Sequence, residues 1–258
     1  IKIINLKITV ISYMLKFNEI PKFLVNLERR PDRLAEVKKE LEYIGWEYEI
    51  FKAIDTGNHE GITRSTLEII KIAKEKGYPR VMIIEDDIRF MPYAKDFLNK
   101  IEEQCGDLKF GVFNLAPTLD RPISKSVNYD LLLDMTNLPP KLEHQRDIYA
   151  ANLIIYDESI YDKLFDIEVN PRPYYYPIDE FVFKYIIKDH QSYSPILPIA
   201  PQSKGFSNIG NVEYSNFYMQ TYNWNAYSPV KIPGQYMDEY SNQKIKENNT
   251  HKTFEYVS

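Results

Sequence analysis

In Val81-Met82-Ile83-Ile84-Glu85-Asp86-Asp87, four apolar residues run without a break into three carboxylates. An unbroken apolar run is the mark of a parallel strand covered by helices on both faces. Ligands of open α/β sheets collect beyond the carboxyl ends of the strands, so topology alone places a site at residues 85–87.

The flanking segments repeat the unit. Lys22-Phe23-Leu24-Val25-Asn26-Leu27 is another short apolar run, and Pro31 stands where a helix begins. Leu34, Val37, Leu41 and Ile44 recur at helical spacing, and Gly45 supplies a left-handed stop. Trp46, Tyr48 and Ile50 alternate as in a strand, which the turn Asp55-Thr56-Gly57-Asn58 closes. Leu67, Ile70 and Ala73 predict a helix over residues 66–76, ended by Gly77 and Pro79. Strand and helix alternate, which predicts an α/β, Rossmann-type, mostly parallel central sheet flanked by helices.

Further on, residues 97–103 read as a helix, 110–115 as a strand and 117–140 as a long irregular loop of the kind found at active sites. A strand at 148–156, a short helix at 158–165 and a helix at 181–188 follow, the last behind bends at Pro171, Pro173 and Pro177. The core is expected to end near Val212.

Composition removes several classes. A chain of 258 residues, 44% hydrophobic and 27% charged, has the apolar content for a packed core and is not disordered. With 32 Lys plus Arg against 37 Asp plus Glu, its net charge of −5 draws it to no nucleic acid, and a phosphate must find a local site. Cys105 alone allows no intramolecular disulfide, and the acids beside it favour a buried, inert thiol. His59, His144, His190 and His251 form no zinc-binding pair. His190, beside Asp189, reads as a surface ion pair, with metal coordination as the alternative. The apolar stretch at 8–15 is far shorter than the ~20 residues of a membrane span. Residues 1–11 are expected as an added edge strand, and no transmembrane segment is expected. A soluble chain follows, cytoplasmic ahead of a secretory lumen.

Chemistry gathers at the two strand ends. Mg²⁺ and Mn²⁺ take oxygen ligands and share them with substrate phosphates, which suits Asp87 with Asp86; the competing role is capping of the next turn. Arg29, Arg30 and Arg33 follow the first strand, and a guanidinium fork matches phosphate; the competing role is local pairing with Asp32. Acids and arginines on one edge together suit a metal diphosphate.

The run Phe23-Leu24-Val25-Asn26-Leu27-Glu28-Arg29-Arg30-Pro31-Asp32-Arg33 resembles the opening motif of glycosyltransferase family 25, the lipooligosaccharide and collagen galactosyltransferases. Ala53-Ile54-Asp55, Gly61 with Ser65, Ile84-Glu85-Asp86-Asp87-Ile88-Arg89-Phe90, Tyr149-Ala150, Pro177-Ile178-Asp179-Glu180-Phe181 and Gln202 with Ser207-Asn208-Ile209 resemble later blocks in order. The resemblance spans residues 22–210, with Thr66 where the family commonly has His and Asn208 where Asp is usual.

The resemblance implies a GT-A-like fold, a UDP-sugar donor, Mn²⁺ or Mg²⁺, and inverting transfer of a hexose to a hydroxyl of a glycan or protein. It implies a donor site of Asn26, Leu27, Arg30, Arg33, Ala53, Asp55, Ser65, Glu85 and Asp86, with the metal on Asp87 and Asp86. Residues 22–125 become the nucleotide-sugar-binding half and 126–230 an irregular acceptor-side half, between an N-terminal extension (1–21) and a tail (231–258). Inversion by one displacement needs a base for the acceptor hydroxyl. Asp179 is that candidate, positioned after Pro177 and before a helical pattern, with Glu180 second and a helix cap as the competing role of Asp179. Tyr174, Tyr175 and Tyr176 would stack on a sugar or pack. Three other readings use the same residues: a catalytically silent sugar-nucleotide-binding assembly module, a metal-dependent phosphotransferase and a plain interaction protein. Against the phosphotransferase, no nucleophilic Asp-x-Asp follows the first strand.

Overall fold

The first strand, β1 (Lys22–Asn26), is buried along its whole length. It is followed by α1 (Pro31–Ile44), whose Pro sits in the first turn and whose Gly45 takes a left-handed φ of 79° to end it. β2 (Glu49–Lys52), α2 (His59–Glu75) and β3 (Arg80–Glu85) complete a βαβαβ unit in the computed structural model. The structure describes residues 14–119, 121–136, 138, 148–169, 177–203, 205–207, 212–214 and 224–232. The chain continues through α3 (Ala94–Gln104), β4 (Val112–Asn114), β5 (Thr118–Leu119), β6 (Leu132–Asp134), β7 (Ile148–Tyr149) and β8 (Leu153–Asp157). Then come α4 (Tyr161–Leu164), α5 (Ile178–Phe181), β9 (Ser192–Pro195), β10 (Gly205–Ser207) and β11 (Val212–Tyr214).

Among the described residues the central sheet has seven strands in the order β2-β1-β3-β8-β4-β9-β6. β1 pairs in parallel with both β2 and β3, and β4 with β9. β8 runs antiparallel between β3 and β4, and β6 antiparallel at the edge. The expected α/β sheet flanked by helices is therefore present, with five strands sharing one direction. The chain moves outward from β1 to β2 and returns past β1 to β3. With right-handed crossovers this reversal sends α1 and α2 to opposite faces and leaves a crevice between the carboxyl ends of β1 and β3.

The elements depart from the sequence reading in five places. α2 begins at His59 rather than 66, because the Asn58 side chain accepts the Glu60 N–H at 2.9 Å and caps a first turn without helical apolar spacing. The segment at 117–140 is not wholly irregular: Leu131, Leu132, Leu133 and Met135 are buried, and β6 seals the sheet against β9. The strand expected at 148–156 breaks at Ala150, which has a φ of 74°. The helix expected at 181–188 starts at Ile178, and its second turn, Val182–Ile186, is a π-turn. The core also extends past Val212, since Trp224 and Ile232 are buried and the Trp224 indole donates to the Ile196 carbonyl at 3.0 Å.

Residues 1–11, the expected edge strand, lie outside the described residues, but Leu15 and Phe17 are buried in the core. Cys105 is sealed in, and burial, then Asp107, pushes its thiol up to about 11, as expected of an inert cysteine. Among the described residues no helix is long and apolar enough to cross a membrane.

Lys22 is an exception inside this core. Its ammonium donates to the carbonyls of Asn18 at 3.1 Å and Ile20 at 2.8 Å and lies 5.5 Å from the Trp46 ring centre. Burial lowers it to about 8, against the raising fields of Glu47 and Glu102. The folded chain thus releases this proton at a lower pH than the unfolded chain, whose lysine titrates near 10.5. Between those values the unfolded state binds more protons, so stability rises with pH. Relative to Lys22→Met, the wild-type chain should recover on the order of 3 kcal/mol between pH 7 and 10.5, read from denaturant melts of both proteins across that range.

Candidate functional site

The crevice at the strand reversal is built from three strand ends. The register that pairs Val25 with Glu85 sets Asn26 level with Asp86. The Asn26 amide donates to Asp86 Oδ2 at 2.6 Å and to the Arg30 carbonyl at 3.2 Å. One buried side chain so ties the turn after β1 to the acids after β3.

Arg33 arrives from the first turn of α1, where a cation opposes the helix dipole. Its Nη1 donates to Asp86 Oδ1 at 3.0 Å and to Asp87 Oδ2 at 3.1 Å. Burial pulls the guanidinium down, but the fields of Asp87 and Asp86 and the bond to Asp86 raise it overall. Gln202 donates to Asp87 Oδ2 at 2.8 Å. It is delivered by residues 199–203, which run beside 87–91 through the bonds Met91 N to Ile199 O, Arg89 N to Pro201 O and Ser203 N to Asp87 O.

Asp86 and Asp87 are 9% and 6% exposed. Burial, then the charge of Asp87, raises Asp86, while Arg33 and Asn26 oppose the rise. Asp87 Oδ1 is buried with no hydrogen-bond partner. Glu85 is held well above the usual carboxylate range by burial and by its neighbours Asp87, Asp86 and Asp179. Among the described residues, no group of three or more His, Cys, Asp and Glu side chains is arranged to hold a metal ion.

Asp179 stands in the first turn of α5. Its Oδ2 accepts the Ala150 N–H at 3.0 Å and its Oδ1 the Glu180 N–H at 2.9 Å. Ala150 is held in its left-handed conformation from both sides, since its carbonyl accepts the Asn114 amide at 2.8 Å. Such strain persists where surrounding contacts over-determine it. The next residues bring β8 against β3, with Glu85 N bonded to the Asn152 carbonyl at 2.8 Å.

The crevice measures about 660 Å³ with its open solvent included. Val25, Leu27, Ala53 and Ile54 give it an apolar wall, and the turn at 55–58 with Gly61 and Ile62 closes one side. Arg29, Arg33, Glu85, Asp86, Asp87 and Gln202 supply the polar side. Such a mixture suits a ligand with one flat apolar end and one charged end.

Leu27, Arg33, Ala53, Asp55, Glu85, Asp86 and Asp87, all nominated by sequence, line this crevice. Asn26 stands behind it, bonded to Asp86. Arg30 is not among the lining residues and pairs with Asp32 at 2.7 Å. Ser65 is fully buried: its hydroxyl accepts the Ile54 N–H at 2.9 Å and donates to the Gly61 carbonyl at 2.8 Å, bracing the wall from behind. Asp179 and Glu180 are outside the lining, Asp179 close enough for its charge to raise Glu85. Thr66 is buried in α2.

His190 is half-buried beside Gly111, which precedes β4 and so lies at the opposite end of the sheet from the acids. Metal coordination with Asp87 is therefore ruled out by placement. Burial, then Lys163, lowers His190 while Asp189 opposes. Tyr174, Tyr175, Tyr176, Asn208 and Ile209 lie outside the described residues.

Arg29, read from the sequence with Arg30 and Arg33 as a phosphate-binding candidate, turns its guanidinium to Asp55 at 2.6 Å and holds that carboxyl below its usual range. The turn Thr56-Gly57-Asn58, read from the sequence only as the close of a strand, also lines the crevice. Nothing local marks Asn114 or Asn152, which act through residues far along the chain.

No protein-family model and no curated protein matches this chain. Among solved structures it is similar to a glycosyltransferase involved in the glycosylation of the major capsid of PBCV-1. That likeness has 11% identity and a TM-score of 0.43 and covers 68% of this chain and 80% of that one. It is also similar to a putative glucose-1-phosphate thymidylyltransferase from Bacillus anthracis in complex with a sucrose. There the identity is 10% and the TM-score 0.38, over 83% of this chain and 79% of that one. Neither likeness reaches the level that would assign an activity.

The Gly61 position is closed to side chains, because a Cβ there would lie 2.4 Å from the Ile54 carbonyl oxygen. Gly61→Ala should force the first turn of α2 away from the crevice wall and cost about 2 kcal/mol in denaturant unfolding.

Proposed function

We propose that the crevice binds a nucleoside diphosphate-sugar and that the chain is a GT-A-like, inverting glycosyltransferase. On this reading it passes a hexose from a UDP-sugar to a hydroxyl of a glycan or protein. The observation that carries the reading is the meeting of Arg33, Asp86 and Asp87 at the strand reversal, beside an apolar wall from β1 and the loop after β2. A nucleoside would lie against Leu27, Ala53 and Ile54, with its ribose toward Glu85 and its phosphates toward the arginines.

A divalent cation fits the donor set. Mg²⁺ or Mn²⁺ is commonly held by one or two carboxylates with the substrate's own phosphates, and Asp87 presents a buried oxygen with no other partner. Asp87 with Asp86 would hold the ion, which would stabilise charge on the departing diphosphate.

The residues of this chain would do the rest. Asp179 takes the proton of the acceptor hydroxyl as its oxygen bonds to the anomeric carbon from the face opposite the diphosphate. The bond from that carbon to the diphosphate oxygen breaks, and its electron pair leaves with the diphosphate. The two backbone N–H bonds to Asp179 fix the carboxylate and leave further lone pairs for the acceptor. Those same bonds also favour a second reading, in which Asp179 is purely structural and the domain binds a sugar nucleotide without turnover.

A thermal-shift panel of UDP-, GDP- and CMP-sugars with and without Mn²⁺ tests donor class. UDP-sugars with Mn²⁺ should raise Tm the most, and Asp87→Ala should abolish the metal-dependent part. Asp179→Asn should keep that shift and lose ~10²-fold or more in transfer. Undiminished transfer by the second variant would remove Asp179 as base, and donor binding without any turnover by wild type would leave the silent binding module.

A further inference from the structure

Arg33 holds the place that a bridging cation would take. A single nitrogen, Nη1, spans Asp86 Oδ1 at 3.0 Å and Asp87 Oδ2 at 3.1 Å, with the guanidinium 17% exposed and the two carboxylates 9% and 7%. Adjacent buried carboxylates repel, and a positive neighbour between them offsets that repulsion. Asn26 and Gln202 add neutral donors to the same pair, but Arg33 brings the compensating charge. The sequence position makes this more pointed, because the first turn of a helix favours anions. Asp87 Oδ1 meanwhile stays buried and unpartnered, so the pair is not saturated by its protein donors.

We propose that Arg33 is a displaceable internal cation, exchanged at Asp86 and Asp87 for a divalent metal when the donor's diphosphate arrives. This inference rests on the donor-binding reading and deepens it. A guanidinium and a divalent ion cannot share two carboxylate oxygens without strong repulsion. Metal alone must therefore expel Arg33 at a cost, because the other carboxylates lining the crevice are Glu85, which adjoins Asp86, and Asp55, which Arg29 already grips. Metal with a diphosphate meets no such penalty, because the released fork pairs with phosphate oxygens. Arg33 thereby couples the two ligands, so that each binds weakly alone and tightly with the other. No covalent bond changes in this exchange.

The test measures Mn²⁺ binding by the EPR signal of free Mn²⁺, with and without UDP, in wild type, Arg33→Met and Arg33→Lys. Wild type should bind Mn²⁺ weakly alone and at least tenfold more tightly with UDP. Arg33→Met should bind Mn²⁺ alone about tenfold more tightly than wild type and lose most of the enhancement by UDP. It should also melt lower than wild type in EDTA and regain that loss with Mn²⁺. Arg33→Lys keeps the charge, so it should hold Mn²⁺ alone as weakly as wild type, and it serves if the Met variant does not fold. Wild type binding Mn²⁺ and UDP together, with Arg33→Met no tighter for Mn²⁺ alone or Arg33→Lys already tight, would overturn the exchange only. No Mn²⁺ bound by any of the three proteins, with or without UDP, would overturn both the exchange and the metal-dependent reading.

Discussion

Asp86 and Asp87 follow one another after a strand buried in all but its last residue, and both are themselves buried, where water screens their repulsion poorly. A charge taken out of water must be paired or neutralised, and a guanidinium with further hydrogen bonds is an arrangement that offsets the charge of both acids. The Arg33 bridge meets that demand, and much of the local structure follows from it. α1 must start close enough to β3 for its first turn to reach the acids. Asn26 must turn inward to hold the other oxygen of Asp86, and residues 199–203 must lie along 87–91 for Gln202 to reach Asp87.

The same economy governs the far side of the acids. β8 runs opposite to β3, which lets the chain pass from β7 through Ala150 at the carboxyl edge rather than the other end of the sheet. The left-handed Ala150 is held by Asn114 below and Asp179 beyond, and Glu85 is fastened to Asn152 two residues later. Strain at one residue is thus offset by hydrogen bonds from three elements, and the result brings the charge of Asp179 near Glu85. A π-turn directly after α5 keeps with this pattern, since such turns gather near functional sites.

Local rules are broken where the site is built and kept elsewhere. The Pro at the start of α1, the Gly at its end and the Asn cap of α2 obey helix-terminus chemistry. Arg33 in a first helical turn and a non-glycine residue at positive φ do not, and both touch the crevice or its supports. Gly61 belongs to the same group: its missing Cβ lets α2 begin against the Ile54 carbonyl.

Residues 81–87 alone carried the buried strand and its acidic end, because apolar periodicity and strand-end chemistry are local properties. The β1, α1, β2, α2 order was legible for the same reason, through Pro31, Gly45 and the turn at 55–58. The sequence also nominated seven residues that line the crevice, since short strands deliver their ends to one edge once they are parallel. Tertiary structure alone decided that Arg33 rather than Arg30 reaches the acids, that Ser65 braces the wall instead of lining it, and that His190 stands at the wrong end of the sheet. It alone placed β8 antiparallel, broke the strand at Ala150 and carried the core on to Trp224. These outcomes depend on pairings between residues far apart along the chain, or on which way a helix turns a side chain, and no local spacing encodes either.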